Sequence, residues 1–76
     1  MEIDKRVVYH YFDSIKDNLP SNSKVDSYSP HYANWNYVEI VYSYGFGVFV
    51  KYGRLNFDYL EYLRDWKITQ ILDRSI

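Results

Sequence analysis

The side chains of this 76-residue chain that could bind a metal or act as a general base are its two histidines and the carboxylates near them. His10 and His31 are far apart in sequence and could approach Asp13 or Asp26 only through folding. No compact ligand spacing such as HExxH is present, and the chain has no cysteine for a zinc site or a catalytic thiol. We therefore expect no metal and no cofactor, with both histidines at the surface.

Patterns for nucleophilic catalysis and for phosphate binding are also missing. No serine stands in a GxSxG motif, and Gly45 and Gly47 are not followed by the sequence GxxxxGK[ST]. A single domain of this length also has little room for a catalytic cleft. The sequence thus predicts a protein that is not an enzyme and that works by binding.

Aromatic residues are the strongest feature of the composition, with ten Tyr, four Phe and two Trp. A chain this short buries only about 60% of the surface that it exposes when unfolded, so some of these rings must remain partly exposed. Exposed rings are common at protein interfaces. The residues that we predict to bind a partner form a sheet group and a helix group: Trp35, Tyr37 and Phe49 in the first, and Asp58, Glu61, Tyr62, Asp65 and Trp66 in the second.

The sheet group depends on an alternating pattern. Between residues 35 and 44 the pattern places Val38, Ile40 and Tyr42 on one face and Trp35 and Tyr37 on the other. If both helices pack on the first face, the sheet group is left on the open face. The alternative is that residues 20–34 fold over these rings and make a second small core.

The helix group depends on helical spacing. Asp58, Glu61 and Asp65 stand at positions i, i+3 and i+7, on one side of the predicted last helix, with Tyr62 and Trp66 nearby. Such an acidic ridge is either a solvated helix face or a surface that fits a basic groove on a partner protein.

The elements that position these residues can be read from periodicity. Apolar residues at helical spacing from Ile3 to Leu19, with Val7, Phe12 and their neighbours in the core, predict a first helix that Pro20 ends. A short edge strand at residues 24–29 and a turn at residues 30–34 follow.

A hairpin is predicted next, with strands at residues 35–44 and 46–52 around a tight reversal at the glycines. A last helix is predicted from about Phe57 to Asp73 with Asn56 as N-cap; alternatively, it stops near Trp66 and residues 67–73 form a strand. The whole chain, residues 1–76, is thus predicted to be a single small α+β domain with an N-terminal helix, an antiparallel three- to four-stranded sheet and a C-terminal helix.

One string permits a different fold. The segment from Gly45 to Tyr52, GFGVFVKY, resembles the central-strand signature of RNA recognition motifs, although Val48 must be treated as an insertion and Tyr44 stands where that family has Lys or Arg. The resemblance implies a ferredoxin-like βαββαβ order, with residues 7–12 and 67–73 as strands.

Charge separates the classes of partner. Nine basic residues stand against ten acidic ones, and between residues 28 and 66 the basic residues are Lys51, Arg54 and Arg64. A nucleic-acid surface normally adds a cationic groove to its rings, so this balance favours a protein partner. A single-stranded nucleic-acid-binding domain with rings on an open sheet face is the alternative, and a homodimer whose rings fill the interface is a third hypothesis.

The functional hypothesis is accordingly a small non-catalytic protein-binding domain that acts by surface occlusion. Small size without catalytic groups is common among phage and mobile-element proteins that inhibit a host enzyme or defence complex, including anti-CRISPR-type proteins. The segment MEIDKRVVYHYF has charges of both signs and no signal-peptide core, and no stretch of eighteen apolar residues occurs. We therefore expect a cytoplasmic protein that does not bind membranes.

Overall fold

A computed structural model describes the backbone of residues 2–74 and the side chains of residues 2–70. Two helices flank three strands, and the strands form one antiparallel sheet in the order β1-β2-β3. This arrangement confirms the predicted α+β fold, with three strands in the sheet. In chain order the elements are α1 (Lys5–Ile15), β1 (Lys24–Pro30), β2 (Tyr37–Tyr44), β3 (Lys51–Asp58) and α2 (Tyr59–Arg74).

Helix α1 begins at an N-cap aspartate and buries the face that the sequence predicts. The Asp4 carboxylate accepts a hydrogen bond from the Arg6 backbone N–H at 2.9 Å, which satisfies one free donor of the first turn. Val7, Val8 and Phe12 are buried. The helix is shorter than predicted, because Lys16–Asn18 tightens into a 3-10 turn before Pro20.

The centre of the core is β2, whose Val38 and Ile40 are fully buried against the helices. On β3 the residues opposite these two are Phe57 and Leu55, which carry the same apolar face across the sheet. Tyr59, at the start of α2, is also buried, and its hydroxyl accepts a hydrogen bond from the Asp4 backbone N–H at 2.7 Å. The two helices therefore lie on one face of the sheet, as predicted.

The predicted position of the last strand is wrong. Residues 46–50 form a loop with a 3-10 turn at Gly47–Phe49, and β3 begins only at Lys51. Both segments contain aromatic and aliphatic residues, so the choice depends on burial. Leu55 and Phe57 lie beside Ile40 and Val38 and extend the buried face of the sheet. The consecutive apolar residues Val48, Phe49 and Val50 cannot all face one side of a sheet.

The boundary of the last helix is also different from the prediction. Phe57 and Asp58 belong to β3, so α2 begins at Tyr59, and the capping role expected of Asn56 falls to Asp58, whose Oδ1 accepts a hydrogen bond from the Glu61 N–H at 3.1 Å. The alternative strand at residues 67–73 is wrong, because α2 continues to Arg74.

The ferredoxin-like alternative is wrong, because both of the outer strands that it requires are helical. Residues 7–12 lie in α1 and residues 67–73 lie in α2, so neither segment is a strand. The string that resembles the RNA recognition motif is mostly a loop, and only its last two residues enter β3.

Candidate protein-binding surfaces

The predicted sheet group is not one cluster. Trp35 lies in the turn before β2 and is 72% exposed, while Phe49 lies beyond the other end of β2 and is 77% exposed. A strand rises about 3.4 Å per residue, so the eight residues of β2 place roughly 27 Å between these rings. Tyr37 is half-buried at the first position of β2.

The open face between these rings, on the side of the sheet away from the helices, is mostly polar. Across the three strands it carries Ser29, Glu39 and Asn56 in one row, and Val41 with Arg54 in the next. Arg54 Nη1 lies 3.9 Å from Glu39 Oε1. Residues 20–34 form β1 and two turns and do not fold over Trp35, since Tyr32 in the second turn and Trp35 itself are both exposed, so the alternative of a second core is wrong.

Among residues 2–70, the largest group of exposed apolar side chains lies in the β2–β3 hairpin loop and at the start of β3. Val48 is 90% exposed, and Phe46 is 72% exposed. We call this group the apolar tip; its members are Phe46, Val48, Phe49, Val50 and Tyr52. Monomeric proteins rarely expose contiguous apolar patches without an interaction that covers them.

Glycine sets the conformation of the apolar tip. Gly45 has φ 106° and Gly47 has φ 54°, both in the region that side-chain-bearing residues avoid. A side chain at Gly45 would run into the carbonyl oxygen of Phe49. The loop is closed by a hydrogen bond from the Phe49 N–H to the Phe46 carbonyl at 2.8 Å. The exposure of the rings therefore follows from a defined turn in the backbone.

The base of the apolar tip carries basic groups. A cavity of about 640 Å³ between the end of α1 and the hairpin is lined by Lys16 and Lys24, together with Asp26 and residues of the hairpin. Lys51, the first residue of β3, lies between Val50 and Tyr52 of the tip and is exposed. The tip is thus apolar at its end and mainly cationic at its base.

A second surface, which we call the acidic groove, lies where β3 meets α2. Its volume is about 360 Å³, and it brings together five of the predicted residues. The groove is lined by Tyr11, Tyr37, Asn56, Phe57, Asp58, Glu61, Tyr62 and Asp65. The predicted helix group therefore does form a common surface, except for Trp66, and Tyr37 joins it from the sheet group.

Packed rings form the floor of the acidic groove. Tyr11 stacks on Phe57 with ring centroids 4.0 Å apart, and Tyr62 meets Tyr11 edge-on at 5.2 Å. Burial raises the pKa of the Tyr11 hydroxyl above its usual value, and the neighbouring Tyr62 acts in the same direction. The Tyr62 hydroxyl lies 2.5 Å from His10 Nδ1, so this ring is held in place from both sides.

The Trp66 side chain makes contacts within the domain. Its ring packs against the core, and the Arg6 guanidinium lies 5.2 Å from its centroid. Arg6 in turn pairs with Asp4 at 2.8 Å, which holds the pKa of Asp4 below its usual value. Trp66 therefore joins the two helices and does not line the groove.

The sequence prediction missed four members of the apolar tip: Phe46, Val48, Val50 and Tyr52. The strand predicted at residues 46–52 contains all four, and in a strand half of them would face the core. Two signals could have found them, namely the Gly-x-Gly spacing at Gly45 and Gly47 and the loss of alternation from Val48 to Val50.

Three further findings concern the class of protein. Among residues 2–70 no cluster of three or more His, Asp or Glu side chains is arranged to hold a metal ion. Neither helix, over the part of the chain that the structure describes, has the length and apolar character needed to cross a membrane. Comparison with protein-family models, with curated proteins and with solved structures finds no match for this chain.

Proposed function

We propose that this chain is a non-catalytic protein-binding domain that inserts the apolar tip into a pocket of another protein. The observation that carries the proposal is the exposure of four apolar side chains on one glycine-shaped loop, with a fifth, Tyr52, at the start of β3. Rings that are held in a fixed turn lose little conformational freedom on binding, which favours their use as anchors.

The charges around the apolar tip indicate the chemistry of the partner surface. Lys16 and Lys24 line the cavity at the base of the tip, with Asp26 as the acidic residue of the same cavity, and the exposed Lys51 is adjacent to the tip residues Val50 and Tyr52 in the chain. A pocket with an apolar floor and an acidic rim would complement this distribution, and the rim charges would act mainly on the rate of association.

The biological role that fits such a domain is occlusion of a surface on its partner. We propose an inhibitor of a host enzyme or defence complex, of the kind that phages and mobile elements encode, acting in the cytoplasm. The support is that occlusion requires a surface and no catalytic group, and this chain offers exposed surfaces within 76 residues.

The nucleic-acid alternative gains no support from the open face. Tyr52 and Tyr37 stand near opposite ends of the sheet, and Arg54, between them, faces the carboxylate of Glu39. Stacking of successive bases requires rings close together along a cationic groove.

Two exposed aromatic residues at opposite ends of β2 provide a matched test. The chain is immobilised and partners are captured from the source cell, with Phe49→Ala and Trp35→Ala as the variants. Phe49→Ala should weaken capture by about thirtyfold, which corresponds to about 2 kcal/mol at an interface hot spot. Trp35→Ala should leave capture unchanged. Both variants should unfold at the same denaturant concentration as the unchanged protein.

The opposite result would contradict the proposed surface. If Trp35→Ala abolishes capture and Phe49→Ala does not, the partner binds at the other end of the sheet. Binding of a fluorescent single-stranded oligonucleotide is measured in parallel at increasing salt. Tight binding that falls steeply with salt would favour the nucleic-acid alternative.

A further inference from the structure

The outer edge of β3 is a long and regular strand edge. The strand pairs with β2 without a break from Lys51 opposite Tyr44 to Asp58 opposite Tyr37. Within residues 2–74 no other strand pairs with it, since the sheet order is β1-β2-β3. Tyr52, Arg54 and Asn56 are exposed along this edge. Such an edge offers unpaired backbone groups to another strand.

A hydrogen bond just beyond the end of β3 shows which residues of this strand direct their backbone N–H and C=O groups away from β2. The Tyr59 N–H donates to the Asn36 carbonyl at 2.9 Å, and these two residues continue the register of the β2–β3 pairing. In an antiparallel ladder, hydrogen-bonded and non-hydrogen-bonded pairs alternate. The odd-numbered residues of β3 therefore bond to β2, and Tyr52, Arg54 and Asn56 direct their backbone N–H and C=O groups away from the sheet.

The opposite edge of the sheet is interrupted, whereas the β3 edge is regular. Strand β1 has an irregularity between Val25 and Ser27 and ends at Pro30, which has no N–H to donate. Bulges and prolines are the usual means by which proteins prevent strand addition. Strand β3 contains neither.

We propose that two copies of this chain associate by antiparallel pairing of β3 with β3, which makes a six-stranded sheet with Leu55 on the two-fold axis. A two-fold axis perpendicular to the sheet keeps the helices of both copies on the same side. It places Arg54 opposite Asn56 of the second copy, and two half-buried Leu55 side chains face each other next to the core.

Neighbouring registers are less favourable. If the axis passed through Arg54, the two guanidinium groups would be directly opposite each other, and like charges in that position are destabilising. If it passed through Asn56, the pairing would shorten to residues 54–58 and the apolar contact between the two Leu55 side chains would be lost.

Charge complementarity supports a second copy as the occupant of this edge. Strand β3 begins with Lys51 and has Arg54 near its centre, whereas it ends with Asp58, beside Glu61 and Asp65 of the acidic groove. Antiparallel pairing about Leu55 brings the basic half of one strand beside the acidic end of the other, and it does so twice. The net charge of −1 per chain adds little repulsion.

The absence of cysteine makes a cross-linking test specific. Leu55 would form a non-hydrogen-bonded pair with its own copy, for which the Cα atoms lie about 4.5 Å apart, within the range that a disulfide spans. Leu55→Cys should therefore give a disulfide-linked dimer as its main product under mild oxidation. Arg54→Cys would cross-link if the axis passed through Arg54, and Ser27→Cys on the β1 edge is the control. Both variants should remain mostly monomeric.

Light scattering of the unchanged protein provides an independent measurement. We expect twice the mass of the 9.3 kDa chain. Arg54→Pro should give the mass of one chain with an unchanged circular dichroism spectrum, because the N–H that proline removes points away from β2. A single-chain mass for the unchanged protein, a dimeric Arg54→Pro, or cross-linking of Arg54→Cys or Ser27→Cys as fast as Leu55→Cys would overturn the proposal.

Discussion

Two phenylalanines at very different depths allow the division between core and binding surface to be tested by the same chemical change. Phe12 is 2% exposed, whereas Phe49 is 77% exposed. Phe12→Ala should lower the free energy of unfolding by about 3–5 kcal/mol, the usual range for a buried ring. Phe49→Ala should change it by less than about 0.5 kcal/mol, as at other exposed sites.

Because the domain is small, the loss of unfolding free energy in Phe12→Ala is a large part of its total stability. At 0.05–0.15 kcal/mol per residue, a chain of 76 residues has a total stability of about 4–11 kcal/mol. In a domain of this length each kcal/mol corresponds to about 4–8 °C, so Phe12→Ala should lower the melting temperature by at least about 12 °C.

Urea denaturation followed by circular dichroism measures both variants, and Lys16→Ala serves as the control for an exposed position directly after the same helix. The slope of free energy against urea should stay constant, because each change alters the stability and not the extent of unfolding. If Phe49→Ala destabilised the protein as much as Phe12→Ala, the Phe49 ring would be packed inside the molecule and the apolar tip would not be free to bind.

Four other predictions concern the Asp4 cap, the ionisation of Asp4, the packing at Gly53 and the absence of a metal. Asp4→Ala should lower the melting temperature while Asp4→Asn should retain most of it, because Asn also caps a helix, and melting curves of the two variants check this. Since the pKa of Asp4 is lowered in the folded state, its ionised form contributes stability that is present above its usual pKa of 3.8 and lost as the pH falls further, which an acid titration of unfolding measures. Gly53→Ala should cost about 1–3 kcal/mol of stability measured in urea, because the ring of Tyr42 lies where the new methyl group would go. Chelator should leave the melting temperature unchanged, and a fall would contradict the expectation of a metal-free fold.

Helix α1 could be predicted from the sequence because its signals are local and agree with one another. Val7, Val8 and Phe12 recur at helical spacing, and Pro20 marks the end of the helical region. The strand at Lys24–Pro30 was likewise predictable, since a longer structureless segment would be unusual in a small domain. In these elements no distant contact competes with the local pattern.

The start of β3 could not be predicted in the same way. Residues 46–52 and residues 51–58 both contain aromatic and aliphatic residues, and local propensity does not distinguish them. The start of β3 depends on which segment pairs beside Val38 and Ile40 and extends the apolar face that packs against α1. That pairing is a contact between distant parts of the chain. The same contact decides that Asp58, rather than Asn56, caps α2.

The candidate site was predicted in part for a related reason. The spacing of Asp58, Glu61 and Asp65 is a property of the helix alone, and the structure brings these residues together in the acidic groove. The grouping of Trp35 with Phe49 assumed that residues 46–52 return along β2 as a strand. With β3 displaced toward the C-terminus, Phe49 remains at the end of the hairpin, far from Trp35.

The position of β3 thus produces both surfaces that we propose. Because the strand starts at Lys51, the five preceding residues cannot pair with β2 and become a loop, and their apolar side chains lie in solvent. Because the strand then runs without a bulge to Asp58, its outer edge stays regular enough to accept a second strand. In a dimer centred on Leu55 the two hairpin loops would lie at opposite ends of the shared sheet, so residues 46–50 of both copies would stay free to bind partners, while the backbone of Tyr52 would pair with Asp58 of the second copy.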